Sequence, residues 1–310
     1  MDGLERALLV ASRQDGVIAG WQCRKLEMDP TDIKTLCRSG RWRRIYRGVY
    51  LVEADVVEPP SPRAVTRAAL LAAGPHAVAV LDTAAAIHGI GGPPKPNGQV
   101  HVSLPGACAR PRRIIDSQLA LHQFAIRPED TSVVDGVRVT SPLRTVADLI
   151  LQLDRYSAVS VMDSALNRGL VTQQEFALLP HLITGRRGAA RARLWIPEAD
   201  ARAASPLETR VRLRCVDGRV APDTLQHRVY NDRGDLLGIG DLAWLHARVL
   251  GEADGAAVHD RPQAVFQDRW RQNELASAGW IVIRFTWQDT LRPGYVVYVV
   301  RSALARAIAA

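Results

Sequence analysis

Residues 38–52 read RSGRWRRIYRGVYLV. Arg41, Arg43, Arg44 and Arg47 place four positive charges within seven residues. Trp42, Ile45, Val49 and Leu51 are the apolar positions expected to face inward, and Gly48 permits a tight turn, so the stretch predicts a basic β-hairpin. Three short helices are expected upstream. DGLERALLVAS supplies the first, with Leu4, Leu8, Val10 and Ala11 as its apolar positions and Gly16 as its break. AGWQCRKLEM supplies the second. DPTDIKTLCRSG supplies the third, with Asp29 as cap, Pro30 in the first turn and Gly40 at the end.

Three helices followed by a basic hairpin is the element order of a winged helix, here residues 1–52. In that arrangement the third helix enters the major groove and the hairpin lies along the phosphate backbone. Lys34 and Arg38 on the third helix, with Arg41, Arg43, Arg44 and Arg47, are therefore the candidate DNA-binding residues. Charge placement agrees. Residues 1–50 hold ten basic and six acidic side chains, half of the chain's net charge of +8. Only three of the 40 basic residues are lysines, and guanidinium forks match phosphate geometry. GC-rich codons supply arginine and alanine alike, so the position of the charge says more than its kind. The hairpin sequence resembles the N-terminal domain of AbiEi-like type IV antitoxins. That resemblance implies DNA binding, commonly at the protein's own promoter, with a cognate toxin as a further partner.

A chain of 310 residues with 47% hydrophobic residues can bury two or three cores, which excludes disorder. The 5% aromatic content gives no sign of a carbohydrate binder. No apolar run approaches the roughly 18 residues of a membrane helix; the longest candidate, AVAVLDTAAAIHGIGG, is cut by Asp82. The N-terminus has no signal-peptide pattern, so a cytoplasmic location without a membrane partner is expected. Cys23, Cys37, Cys108 and Cys215 show neither CxxC pairing nor zinc spacing; reduced thiols and no zinc are expected.

In the middle of the chain, EPPSPR (58–63) reads as a linker. Helices are expected from Ala64 to Ala73 and from Asp82 to His88, then a strand at VHVSLPG. Asp135-Gly136 marks a hairpin, and SPLRTVADLILQL a helix capped by Ser141, on which Arg144 and Asp148 can pair. Two more helices follow at YSAVSVMDSALNRG and VTQQEFALL. His88, His101 and His122 fall in different elements and make no catalytic constellation. The runs TAAAIHGI and VTSPLRTVADL resemble the C-terminal region of the same antitoxin-like proteins, which defines an α+β middle domain over 64–185. GRRGAARAR (185–193) reads as a flexible basic junction.

From residue 205 the expected order is helix, three strands, helix, strand and a final helix. The second strand, LLGIGDLAW, ends near Asp241–Trp244, and Glu252 and Asp254 face one side of the third. Carboxylates at adjacent strand ends suit a hydrated Mg²⁺ or Mn²⁺, with Asp241 and Asp254 as metal ligands. His259 follows within reach and can act as general base or acid, with Glu252 and Asp254 as assisting catalytic residues. The same spacing also suits scattered acids at strand ends.

DLAW, GEADGAAVH and FQDRWRQNELASAGWIVIRFTW resemble the Vsr-like branch of the PD-(D/E)xK endonucleases over residues 205–304. The resemblance implies that Asp241 matches the metal-binding aspartate, and that Gly255 and His259 match the glycine and second histidine of the branch. Asp254 stands in place of the first histidine and of the superfamily lysine, and the structural-zinc cysteines have no counterpart. Glu208 resembles the first-helix acid, although its capping box with Ser205 also explains it. On the following helix Asp268 and Asn273 are accessory candidates and Arg271 a phosphate contact. Arg284, inside a strand, needs an acidic partner if buried.

The sequence thus predicts a multidomain α+β and α/β protein. It has an N-terminal winged helix (1–52), a middle domain (64–185) and a restriction-endonuclease-like mixed sheet flanked by helices (205–310). It predicts a DNA-binding protein with a metal-dependent endodeoxyribonuclease-like domain. The alternative is a non-catalytic antitoxin-like regulator with an inactive nuclease fold.

Overall fold

Asp29 accepts a hydrogen bond from the Thr31 amide at 2.7 Å, and Pro30 takes the first helical position, so the helix starts where the sequence places it. The computed structural model describes residues 2–52, 59–93, 98–104, 118–254 and 262–309, with the backbone alone over 262–268. Its contacts divide the chain into two compact units, one built from residues up to Leu149, the other from Ile150 onward together with Gly91–Pro93. It is a mixed α/β structure with three sheets among the described residues.

The first unit begins with α1 (Gly3–Ser12), β1 (Val17–Ala19), α2 (Gly20–Lys25), α3 (Pro30–Arg38), β2 (Trp42–Tyr46) and β3 (Val49–Val52). The strand β1, which sequence reading did not anticipate, pairs antiparallel with β3 to give the order β1-β3-β2. Alternation along these strands serves two cores. Ile18 and Trp42 face α1, α2 and α3 with Ala7, Ala11, Cys23, Ile33 and Leu36. Val17, Ala19, Tyr46 and Val49, with Ile45 and Leu51 beside them, pack on the next helix, α4 (Pro62–Ala73). This corrects the expectation that Trp42, Ile45, Val49 and Leu51 share one inward face. The register slips between Arg44 and Tyr46, and Trp42 belongs to the opposite face.

The unit continues with β4 (Val78–Ala79), α5 (Leu81–His88), β5 (Val100–Ser103), β6 (Leu119–His122), β7 (Thr131–Val134), β8 (Val137–Thr140) and α6 (Pro142–Ile150). Its five-stranded sheet has the order β6-β5-β4-β8-β7. The expected Asp135-Gly136 hairpin is present, with both residues at positive φ (48° and 74°), as the mirror-image turn requires. Arg144 pairs with Asp148 at 3.0 Å and also with Asp130 at 2.9 Å.

A buried ion pair ties these parts together. Asp15, in the turn after α1, meets Arg67 of α4 at 2.6 Å, each side chain under 10% exposed. Arg67 also donates to the carbonyls of Gly136 and Asp135 at 3.1 and 2.5 Å, and Arg63 reaches the same Asp15 at 2.5 Å.

The second unit holds α7 (Arg155–Asn167), α8 (Gln173–Phe176), α9 (Leu179–Leu182), α10 (Ala189–Trp195) and α11 (Pro206–Asp217). It ends with β9 (Thr224–Tyr230), β10 (Leu236–Trp244), β11 (Val249–Ala253), α12 (Pro262–Ser277), β12 (Ile281–Phe285), α13 (Trp287–Leu291) and α14 (Tyr295–Ala309). The sheet order is β12-β11-β10-β9, parallel only between β11 and β12. One face packs Leu242, Trp244, Ile283 and Phe285 on Leu207 and Val211 of α11 and Val300 of α14. The other packs Val229, Leu237, Ala243 and Leu250 on Leu275 of α12. The buried Asp163 of α7 accepts from Thr209 and Arg212 of α11 and from the Asp200 amide.

GRRGAARAR is not a flexible junction. Its last residues form α10, with Ala189 and Ala192 buried, and Gly188 lies at φ +93° so close to Leu151 that a Cβ would fall 2.3 Å from that carbonyl oxygen. Cys23 and Cys215 are free and buried, which pushes their thiols up to about 11 and about 12. Cys108 lies outside the described residues. Among the described residues no helix is long and apolar enough to cross a membrane.

The buried pair gives a stability prediction. Arg67→Met keeps the stem but leaves Asp15 with the half-exposed Arg63 alone and abandons two carbonyls. Removing one partner of a buried pair costs about 3–5 kcal/mol, and the lower figure is expected here because Arg63 remains. A urea unfolding curve that moves by less than about 1 kcal/mol would show that the pair does not hold the unit together.

Candidate functional site

Two sets of predicted residues can be located, one in each unit. In the first unit, α3 buries Ile33 and Leu36 and turns Thr31, Lys34, Thr35 and Arg38 to solvent. Spacings of three and four put these four on one helix face. Arg41 just before β2, Arg44 on it and Arg47 in the turn after it are exposed, and Arg43 is partly buried. Among the described residues Arg41, Arg44, Arg47, Lys34 and Arg38 make no ion pair. The face is thus a set of solvated cations held by a rigid helix and hairpin, chemically suited to a polyanion.

In the second unit, the register that pairs Leu242 with Gly251 sets Asp241 beside Glu252. Asp241 accepts the Ala253 amide at 2.8 Å and the Gln226 amide at 3.1 Å. Gln226 also donates to Glu208 at 3.0 Å, and Glu208 accepts the Ala204 amide on the same oxygen. Gln226 sits within β9 at φ +51°, a left-handed conformation that bends the strand where its amide links two acids. Glu252 is ion-paired with Arg271 through one oxygen and with Arg284 at 3.1 Å through the other; Arg284 stands 3.9 Å from Asp254. Burial pushes the carboxyls of Glu208, Asp241 and Glu252 up. Hydrogen bonds to the first two, and the two guanidinium groups beside Glu252, pull in the other direction.

Asp241, Glu252 and Glu208 are therefore brought together, with Asp254 at the edge. Arg271, expected to meet a phosphate, is engaged with Glu252. Asn273 is exposed on α12. Gly255 and His259 lie outside the described residues, as does the side chain of Asp268. As placed, two of the expected site acids, Asp241 and Glu252, are engaged by protein donors. Both Glu252 oxygens face guanidinium groups and both Asp241 oxygens accept N–H groups. Among the described residues no three His, Cys, Asp or Glu gather as metal ligands.

Comparison with known proteins bears on the first unit and part of the second. Residues 5–52 match the family model described as a transcriptional regulator, AbiEi antitoxin. Residues 77–197 match that of the AbiEi antitoxin C-terminal domain. Two segments of the chain thus match AbiEi antitoxin domains. Its curated relatives include the uncharacterized proteins MT2308 and Rv2248 of two Mycobacterium tuberculosis strains. Each is 29% identical over 273 residues, 87% of this chain and 95% of the relative. A crystal structure of the RV2827C protein from Mycobacterium tuberculosis covers 74% of this chain and 88% of its own, at 14% identity and a TM-score of 0.43.

The AbiEi regulator-type match contains every candidate residue of α3 and the hairpin, whereas Glu208, Asp241, Glu252 and Asp254 lie beyond both AbiEi segments. Sequence reading missed Gln226, because a glutamine in an alternating strand gives no sign of a left-handed backbone. It anticipated that Arg284 needs an acid, and the acid is Glu252.

Glu208 supplies a pH test. Its carboxyl is raised in the folded chain, so the native state keeps a proton that the unfolded state loses first, and stability falls as pH rises through that window. Gln at 208 can accept both N–H groups on its one carbonyl oxygen without a charge. Glu208→Gln is expected to raise the urea midpoint at pH 8, and the gain should vanish at pH 4.5. Equal destabilisation at both pH values would show that the charge is not what burial penalises.

Proposed function

We propose that this protein is a DNA-binding transcriptional regulator of the antitoxin kind, its first unit docking a duplex as a winged helix. α3 enters the major groove with Lys34 and Arg38, and the β2–β3 hairpin lies along the backbone with Arg41, Arg44 and Arg47. The observation that carries the reading is that these five exposed cations lie on α3 and the hairpin and make no ion pair among the described residues. They also fall inside the segment matched to a transcriptional regulator. The antitoxin domains further support a cognate toxin as protein partner.

Arg41→Ala, Arg44→Ala and Arg47→Ala combined should weaken duplex binding and lower the log–log salt slope by about 0.9 for each phosphate left unneutralised. Lys34→Ala and Arg38→Ala should instead narrow the gap between a specific and a random duplex, by about 1–3 kcal/mol for each base read. Fluorescence anisotropy at several salt concentrations measures both. Unchanged slopes in the triple variant would refute the reading.

A second reading, hydrolysis of DNA phosphodiester bonds by the C-terminal sheet, draws support from the element order and from Glu208, Asp241 and Glu252 lying together. Glu252's closure by two arginines favours the regulator. If the second reading holds, supercoiled plasmid with Mg²⁺ or Mn²⁺ is nicked by the wild type, and Asp241→Asn abolishes nicking. An inert wild type, or nicking that survives the substitution, removes it.

A further inference from the structure

The second unit carries a cation–aromatic surface that neither site described above uses. Arg210 and Arg214 lie one turn apart on α11, and both guanidinium groups stack on Tyr156 of α7, at 4.9 and 4.8 Å from its ring centre. Arg210 also lies 5.3 Å from the ring of Trp287, the first residue of α13. Thr290 fixes both forks: its hydroxyl accepts the Nε of Arg210 at 3.1 Å and its carbonyl the Nε of Arg214 at 3.2 Å. These bonds hold each guanidinium by its inner edge.

The nearby acids are already engaged. Asp217 accepts Arg155 at 2.6 Å and the Tyr156 hydroxyl, and Glu198 accepts Arg155 at 2.7 Å. Neither Arg210 nor Arg214 has a carboxylate within ion-pair distance among the described residues. Trp287 is 47% exposed. Trp287 thus presents a half-exposed indole beside the oriented guanidinium of Arg210.

We propose that this surface binds single-stranded nucleic acid, with a backbone phosphate in the forks of Arg210 and Arg214 and an unpaired base stacked on Trp287. Charge complementarity selects a phosphate, because arginine forks bind it bidentately. The exposed indole selects an unpaired base, because a duplex offers no free π-face along its length whereas every unpaired base does. An acidic peptide would satisfy the forks and leave the indole without a role. The site goes beyond duplex docking by the first unit and does not depend on it.

The test uses the full-length chain carrying Arg41→Ala, Arg44→Ala and Arg47→Ala, so that hairpin contacts do not mask the second surface. Fluorescein-labelled dT12 is followed by anisotropy, beside a 12-mer of the same backbone without bases. In that background dT12 should still bind. Trp287→Ala should weaken it at least about fivefold while leaving the baseless 12-mer unaffected. Arg210→Gln should weaken both and lower the salt slope by about 0.7. Arg210→Lys, which keeps charge without the fork, should fall between. A urea curve for Trp287→Ala matching the parent excludes misfolding.

The proposal is overturned if dT12 does not bind in the background chain, or if Trp287→Ala leaves dT12 affinity within twofold. It is also overturned if a ten-residue glutamate peptide displaces dT12 with equal effect in parent and Trp287→Ala chains, which would make the surface a site for acidic peptide. Failure of duplex binding by the first unit would show separately, in the salt slopes of the wild type.

Discussion

The interaction on which the first unit depends is the buried pair between Asp15 and Arg67. Taking two charges out of water is expensive, and it is tolerable only when hydrogen bonds satisfy what the Coulomb attraction leaves over. Arg67 meets that condition with two carbonyls at the tip of the β7–β8 hairpin. One guanidinium thereby fixes the turn after α1, the helix α4 and a hairpin almost seventy residues further along. The β1-β3-β2 sheet is held between α1–α3 and α4 as a result, and α3 and the arginine hairpin are presented from a two-sided support.

Much of the fold was legible because its signals are local. Asp29 and Pro30 start α3, Asp135-Gly136 makes its turn, and strand and helix periodicity give the order of elements from α11 to β12. What escaped was set by distant partners. Nothing near Ile45 announces that the register slips there, so the apolar residues of the hairpin looked like one face. The string GRRGAARAR has the composition of a linker, yet Leu151 waits against Gly188. In the carboxylate cluster, adjacency of strands made the meeting of Asp241 and Glu252 readable. The identity of Glu252's neighbours was not, because Arg271 reaches it only through the way α12 lies across the sheet.

The preference for arginine over lysine takes on a structural sense. Arg67, Arg144, Arg212 and Arg284 each hold a carboxylate in a buried or half-buried place, where a planar fork can satisfy acids and carbonyls together. Against that background, arginines without such a partner stand out. They include Arg44 and Arg47 of the β2–β3 hairpin and Arg210 and Arg214 on α11 beside Tyr156.

The sheet shared by two cores also governs how the first unit opens. β3 is the central strand, bonded to β1 on one side and β2 on the other, and its alternate side chains enter both hydrophobic clusters. Its amides therefore exchange with solvent only when both layers separate at once.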